Sequence, residues 1–82
     1  MKIFIRKSAI KDLNKIDPDK RNLIHESILK LTDFPNVANI KKLTNFEPAF
    51  RLKTGDYRVL FDVIDDTVFI GRVLHRKESY KK

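Results

Sequence analysis

Basic side chains are interleaved with apolar ones throughout the last third of this 82-residue chain. The residues of this stretch that can carry positive charge between strand-forming residues include Arg51, Lys53, Arg58, Arg72, His75 and Arg76. Burying a sheet does not require cationic side chains on it, whereas a site that binds a polyanion does. The pattern therefore predicts a surface that holds phosphate groups.

Three of these cations are expected on one face of the predicted sheet. Arg51 and Lys53 are two residues apart on a strand, so both point to one face while Phe50 and Leu52 point to the other. Two charges alone are typical of a solvated face. Arg58, however, lies inside the most apolar stretch, just across a turn from this pair. Because like charges opposed across strands destabilise a sheet, the arrangement indicates that a bound phosphate offsets the repulsion.

These residue types can cleave RNA without a metal ion, because the nucleophile is the substrate's own 2′-hydroxyl. The protein must accept the 2′ proton, stabilise charge on the pentacoordinate phosphate and protonate the 5′ oxygen as it leaves. Guanidinium groups stay charged, which suits Arg51, Arg58 and Arg76 to charge stabilisation. Lys53 could serve as the base where neighbouring cations favour the neutral amine, and His75 could serve as acid or base.

The end of the stretch adds one aromatic and one further basic candidate. Tyr80 lies in a polar tail, where a ring buries little core area, so stacking on a base and packing against the sheet edge are both open to it. His75 is flanked by Arg76 and Lys77, whereas His25 is alone in a predicted helix and is assigned no role. Lys77 is a candidate for substrate binding.

Composition restricts the other possibilities. The length predicts one domain covering residues 1–82. The sequence has no cysteine, which excludes disulfides and Cys-ligated zinc and favours a reducing cytoplasm. Two distant histidines are no metal-ligand set, two glycines are no phosphate-binding loop, and no stretch approaches the roughly 20 apolar residues of a membrane span. The net charge of +7 instead indicates an anionic partner, such as nucleic acid or an acidic protein.

The first half of the sequence predicts a strand and two helices. Residues 2–6 are typical of a strand, and Ser8 is the expected cap of a short helix. Asp17 as the N-cap and Pro18 in the first helical position predict a second helix that runs to about Thr32. Its expected buried stripe consists of Leu23, Ile24, Ile28 and Leu31. The two helices should form an antiparallel hairpin.

The second half predicts three strands, at residues 49–54, 57–64 and 67–75. Residues 34–48 are expected to form a loop, in which Lys41 and Lys42 are candidates for substrate binding. The resulting order is β-α-α-β-β-β, an α+β fold with the helix hairpin packed on one face of a small, mostly antiparallel four-stranded sheet. Residues 57–64 should be central, the first strand should lie at an edge or beside the last, and the cations should converge on the open face.

This element order and two sequence stretches resemble the RelE/ParE superfamily of bacterial and archaeal toxin–antitoxin toxins, over nearly the whole chain. GDYRVLF and HRKESY are similar to the RelE-type sequences G-x-YR-ϕ-ϕ-[YF] and H-R-x-x-x-Y, where ϕ is apolar. The resemblance implies a ribosome-dependent, metal-independent endoribonuclease that cuts mRNA in the ribosomal A site. It also implies a cognate antitoxin as partner, besides the ribosome and mRNA, and no cofactor.

The resemblance implies a role for each matching position. Arg51 and Lys53 match a basic pair on the family's second strand, with Lys53 as the candidate base. Arg58 matches an arginine that stabilises the phosphate, and Arg76 matches one tied to charge stabilisation or leaving-group protonation. Tyr80 matches a tyrosine that stacks on or orients an mRNA base.

Two matters stay open at this point. Arg51 stands where the best-known member has lysine, and His75 falls where some relatives place a catalytic histidine, so Lys53 and His75 are alternative bases. The ParE branch shares the fold but poisons DNA gyrase by binding it and lacks the ribonuclease residues. A catalytically inactive module that only binds its antitoxin or RNA is the third alternative.

Overall fold

The computed structural model describes residues 1–43 and 48–79. Its elements, in chain order, are β1 (Lys2–Ile5), α1 (Lys7–Asn14), α2 (Pro18–Leu29), a 3₁₀ turn (Lys30–Asp33), β2 (Ile40–Lys42), β3 (Phe50–Thr54), β4 (Tyr57–Ile64), β5 (Thr67–His75) and α3 (Arg76–Ser79). The expected α+β class is confirmed, as is Pro18 as the first residue of the second helix. Within the described ranges, no helix is long and apolar enough to cross a membrane.

The strands form one mixed sheet in the order β1-β5-β4-β3-β2. β1 runs parallel to β5, and the other neighbours are antiparallel. The central place of β4 and the position of the first strand, at an edge beside the last, are both as predicted. β4 lies between β5 and β3, so both of its backbone edges are paired and shielded from water. This position suits the most hydrophobic strand of the sheet.

A fifth strand, β2, lies where the sequence predicted only a loop. It pairs antiparallel with β3 over three residues, with Lys41 opposite Arg51. Asn39 precedes it with a φ of 67°, a left-handed conformation that asparagine tolerates well. A strand this short shows no alternation that a sequence pattern could detect, since the signal needs at least four residues.

The core lies between the helices and one face of the sheet. Its buried apolar residues are Ala9, Leu13, Ile16, Ile24, Ile28, Leu31, Leu52, Val59, Phe61, Val68, Ile70 and Val73. Phe50 stacks on Phe61 at 5.4 Å, and Phe34 meets Phe50 edge-on at 5.1 Å, so aromatic rings fill the end of the core beside β3. The prediction that Leu23 is buried was wrong, since it is 61% exposed. The buried line of α2 follows Ile24 and Ile28, and Leu23 lies about 100° away from Ile24 around the helix.

Helix α1 completes the edge of β5 where β1 ends. β1 pairs with β5 only as far as Ile70. Beyond that point Ser8 Oγ donates to the Gly71 carbonyl at 2.6 Å, and the Val73 N–H donates to Asp12 at 2.9 Å. Arg72 adds a two-bonded ion pair to Asp12, at 2.7 and 3.1 Å. The predicted role of Ser8 as a helix cap was therefore wrong, because its hydroxyl fastens the helix to the sheet.

A bulge at Gly71 changes which face of the sheet each later residue of β5 takes. Phe61 of β4 pairs with Ile70, but the preceding residue, Leu60, pairs with Arg72. Gly71 is the extra residue, so the inward alternation passes from Ile70 to Val73 instead of to Arg72. Arg72 is thereby turned away from the core, at the edge where Asp12 meets it.

The ion pair at this edge sets the charge state of Asp12. Burial raises the pKa of Asp12, but the hydrogen bonds from Arg72 and the Val73 N–H, with the charges of Arg72 and Lys15, outweigh burial and leave the pKa below 3.8. The hydrogen bond to Asp12 in turn raises the pKa of Arg72. A carboxyl with a lowered folded pKa gives stability that is present above its unfolded pKa and lost as pH falls through the folded one.

We expect Asp12→Asn to lower the free energy of unfolding at neutral pH by about 1 kcal/mol. This is less than the usual contribution of charge-assisted hydrogen bonds, because Arg72 is half exposed and solvent screens the pair. At an acidic pH, where the pH has fallen through the lowered pKa of folded Asp12, the difference from wild type should shrink, since wild-type Asp12 then takes up its proton. Urea unfolding at both pH values measures this. Glu26→Gln, which removes an exposed carboxylate on α2, is the control, and a pH-independent Asp12→Asn deficit would contradict the account.

Candidate functional site

The face of the sheet opposite the helices carries a compact group of cations, Lys41, Arg51, Lys53 and Arg58, here called the cationic cluster. Strand register places Lys41 opposite Arg51 and Lys53 opposite Arg58. Directly opposed side chains in an antiparallel pair have Cβ atoms about 5 Å apart. The prediction that the cations of β3 share one face, away from the core residue Leu52, is confirmed.

Arg58 is the buried member of the cationic cluster, only 5% exposed. One terminal nitrogen, Nη1, donates to the carbonyls of Gly55 and Tyr57, each at 3.0 Å. Both acceptors belong to the tight β3–β4 turn, where Gly55 has a φ of +60°. A buried guanidinium beside another cation needs such dipoles, because its charge loses water and no carboxylate of the described residues pairs with it.

Two donors of the cationic cluster remain unsatisfied. The Nε atoms of Arg58 and Arg51 are buried and have no hydrogen-bond partner within the described part of the chain. Lys53 lies on the same face, two residues after Arg51 and opposite Arg58, and its side chain is exposed. Unpaired guanidinium donors next to a solvent-accessible ammonium suit the oxygens of a phosphate, which accept several charge-assisted hydrogen bonds at once.

The start of α3 is fastened to the same turn that holds Arg58. The backbone N–H of Arg76 donates to the carbonyl of Asp56 at 2.7 Å. The β3–β4 turn thus offers three successive carbonyls, of which those of Gly55 and Tyr57 bind Arg58 and that of Asp56 binds α3. The side chains of Arg76 and Lys77 are exposed at this end of the sheet.

His75 lies apart from the cationic cluster. It pairs with Tyr57 in the register of β5 with β4, and Tyr57 shares a face with the core residue Val59. The two rings meet edge-on at 5.4 Å. His75 lines a polar pocket of about 210 Å³ on the helix side, together with Asp12, Lys15 and Arg72. The two candidate bases therefore lie on opposite faces of the sheet. Lys53 belongs to the cationic cluster, and His75 lies on the face that packs against the helices.

The remaining predicted residues fall in three places. Lys42 pairs with Phe50, so it alternates to the face opposite Lys41, although its side chain is exposed. Lys41 joins the cationic cluster, which the sequence did not foresee because β2 was expected to be a loop. Tyr80 lies outside the described residues.

The sequence did not predict a contact between Glu78 and the candidate residue His75. The Oε1 atom of Glu78 accepts a hydrogen bond from the His75 N–H at 3.1 Å. The available signal was a glutamate three residues after the end of a strand, the spacing of a helix capping box. It was missed because a capping box normally begins with serine or threonine, and here the first position is histidine.

Comparison with protein families and curated relatives agrees with this architecture. The family described as "ParE toxin of type II toxin-antitoxin system, parDE" matches residues 3–80. Toxin RelE3 of Methanocaldococcus jannaschii is 33% identical over 85 residues, covering 98% of this chain and 96% of that protein. Putative toxin RelE1 of the same organism is 31% identical over 84 residues, covering 98% and 93%.

Solved structures share the fold over most of the chain. A chain of the RelB–RelE antitoxin–toxin complex from Methanococcus jannaschii superposes with a TM-score of 0.79 at 29% identity and 94% coverage of both chains. A chain of the RelBE2 toxin–antitoxin complex from Mycobacterium tuberculosis gives 0.77 at 31% identity, covering 92% of this chain and 96% of that one.

Inorganic phosphate should stabilise the folded protein through the cationic cluster. Ligand at 100 times its dissociation constant adds about 2.7 kcal/mol to a folded state that alone binds it, and each kcal/mol raises the Tm of a domain this size by about 4–8 °C. We expect Arg58→Met to remove most of this shift while keeping or raising the Tm without phosphate, since an apolar side chain replaces a buried cation.

Calorimetry with and without phosphate measures both effects. Lys11→Met is the matched control, because it removes one exposed positive charge from α1, on the helix side of the sheet. Equal phosphate-induced shifts in wild type and Arg58→Met would show that the anion binds elsewhere.

Proposed function

This chain belongs to the RelE/ParE family of type II toxin–antitoxin toxins, and we propose that it acts as a ribosome-dependent, metal-independent endoribonuclease that cleaves mRNA in the ribosomal A site. The family makes it a toxin. The observation that carries the nuclease proposal is Arg58, a buried guanidinium opposite Lys53 whose Nε has no hydrogen-bond partner among residues 1–43 and 48–79. A protein that needed only stability would not keep these charges together.

In the proposed reaction the 2′-oxygen of the substrate attacks the adjacent phosphorus, and the bond from phosphorus to the 5′ oxygen breaks. Lys53 accepts the 2′ proton, since it is exposed to substrate and lies between Arg51 and Arg58 on the same face. Arg58 and Arg51 stabilise the charge that develops on the phosphate. Arg76, at the start of α3, stabilises the leaving 5′ oxygen or assists its protonation.

Strand register supports Lys53 over His75 as the base. Lys53 lies directly opposite the buried Arg58, so an amine and a guanidinium can reach the same phosphate. His75 is paired with Tyr57, whose side of the sheet faces the helices. A proton acceptor must come within hydrogen-bond reach of the 2′-hydroxyl, and in this proposal Lys53 does so for a phosphate held by Arg58.

The first test is primer extension on mRNA programmed on 70S ribosomes, with free RNA as a second substrate. Wild type should cleave only ribosome-bound mRNA, and Arg58→Ala should reduce cleavage by about 10²–10³-fold, the usual cost of removing a donor that stabilises transition-state charge. Lys53→Ala should reduce it comparably, because the base is lost. Lys11→Ala, which also removes one positive charge, should cleave like wild type.

Other outcomes identify the other branches of the family. If wild type leaves mRNA intact but inhibits gyrase supercoiling, and Arg58→Ala and Arg76→Ala still do so, the chain acts in the ParE manner. If neither assay responds, it is an inactive module that binds its antitoxin or RNA. Either result would overturn the nuclease proposal.

A cognate antitoxin is the proposed protein partner, as the solved relatives are antitoxin–toxin complexes. The net charge of +7 favours an acidic, amphipathic segment that wraps the basic surface. We propose that it either covers the cationic cluster or displaces the chain after β5, which would separate Arg76 from the β3–β4 turn. The reaction takes place in the cytoplasm, where ribosomes are.

An antitoxin that covers the cationic cluster should abolish cleavage and the phosphate-induced rise in Tm together, because both depend on Arg58, whereas one that displaces the chain after β5 should abolish cleavage and leave the phosphate-induced rise. Titrating the co-purified antitoxin into the ribosome assay and into calorimetry with phosphate tests this. An antitoxin that bound only the helical side and left RNA cleavage intact would contradict the proposed mode of inhibition.

A further inference from the structure

The junction between β5 and α3 contains a reciprocal pair of side-chain hydrogen bonds. The Nδ1 atom of His75 accepts from the backbone N–H of Lys77 at 3.3 Å. The Oε1 atom of Glu78 accepts from the backbone N–H of His75 at 3.1 Å. His75 immediately precedes Arg76, the first residue of α3, so it occupies the N-cap position and Glu78 the third helical position. Glu78 makes the contact of a capping-box glutamate, and the imidazole acts as an N-cap acceptor for the N–H of the second helical residue instead of the third.

The cap commits one nitrogen of the imidazole. A ring nitrogen that accepts a hydrogen bond carries no proton, so the proton of neutral His75 is on Nε2. The ring is also held edge-on against Tyr57 at 5.4 Å. Asp12, Lys15 and Arg72 line the pocket around it, on the helix side of the sheet. His75 is thus a constrained part of a helix start, away from the cationic cluster.

The segment that His75 caps reaches the proposed site through the backbone. Arg76 follows His75, and its N–H donates to the Asp56 carbonyl at 2.7 Å. The neighbouring carbonyls, of Gly55 and Tyr57, hold the guanidinium of Arg58. Without the cap, the first turn of α3 would no longer be held in place. The orientation of Arg76 relative to the sheet would then no longer be fixed.

We propose that His75 is a positioning residue: together with Glu78 it caps α3 and orients Arg76, and it transfers no proton in the reaction. The inference rests on the proposed nuclease function for its catalytic consequence, but the cap itself can be tested in the free protein. A capping role also explains why His75 precedes Arg76 in the sequence although its ring lies on the opposite face of the sheet from the cationic cluster.

Substitutions that separate capping from proton transfer test the proposal in the ribosome assay. Asparagine is among the best N-cap residues and is no general acid or base at neutral pH, so His75→Asn should cleave within about threefold of wild type. Alanine cannot cap, so His75→Ala should lose about tenfold in cleavage. Glu78→Gln keeps an acceptor for the His75 N–H and should resemble wild type, whereas Glu78→Ala should resemble His75→Ala.

Amide hydrogen exchange in the free protein provides a readout that does not depend on catalysis. The Lys77 N–H should exchange slowly in wild type and His75→Asn and several-fold faster in His75→Ala, with the Val59 amide of the central strand as an internal control for folding. If neither wild type nor any variant cleaves mRNA, the nuclease proposal fails. The exchange rate of the Lys77 N–H still decides whether His75 caps α3.

Two results would overturn the inference. One is a His75→Asn protein as inactive as His75→Ala although Lys77 stays protected, which would assign His75 a role in proton transfer. The other is unchanged Lys77 exchange in His75→Ala, which would show that the imidazole does not hold the helix start.

Discussion

The buried guanidinium of Arg58 is the interaction on which the proposed site depends. A cation that is 5% exposed and opposite a lysine cannot remain there without acceptors, and the Gly55 and Tyr57 carbonyls provide them. The sharp turn that aims these carbonyls requires a residue with φ near +60° at position 55, which glycine adopts without steric cost. The carbonyls of this turn therefore stabilise the charge of Arg58, and the Asp56 carbonyl of the same turn accepts a hydrogen bond from the backbone N–H of Arg76.

A second constraint lies at the opposite side of the sheet, where α1 takes over from β1. Parallel pairing ends at Ile70, and without α1 the rest of this edge of β5 would expose backbone donors and acceptors. Ser8 and Asp12 supply the missing partners from one face of the helix, four residues apart. The helix is thus fixed relative to β5 by side chains that lie about 60 residues away from their partners in the sequence.

The sequence predicts the features that follow from alternation and fails where alternation breaks. The shared face of Arg51 and Lys53 and the central place of β4 follow from a two-residue period and could be predicted from the sequence. The faces taken by Arg72 and His75 were not predicted, because the bulge at Gly71 reverses the alternation; a glycine inside a strand often marks a bulge, but it does not specify where the register shifts. The role of Ser8 depends on a partner 63 residues away, which no local pattern contains.

The fifth strand has a consequence for how the protein behaves in a crowded cell. β2 is the outer strand at one side of the sheet, and no other strand of the described residues pairs with its outer edge, which could template association with another chain. It is only three residues long and carries Lys41 and Lys42, which alternate to opposite faces. A charged side chain on each face and so short an edge oppose stacking of copies edge to edge. Lys41 and Lys42 therefore disfavour edge-to-edge pairing of copies, a consequence that is independent of any substrate they bind.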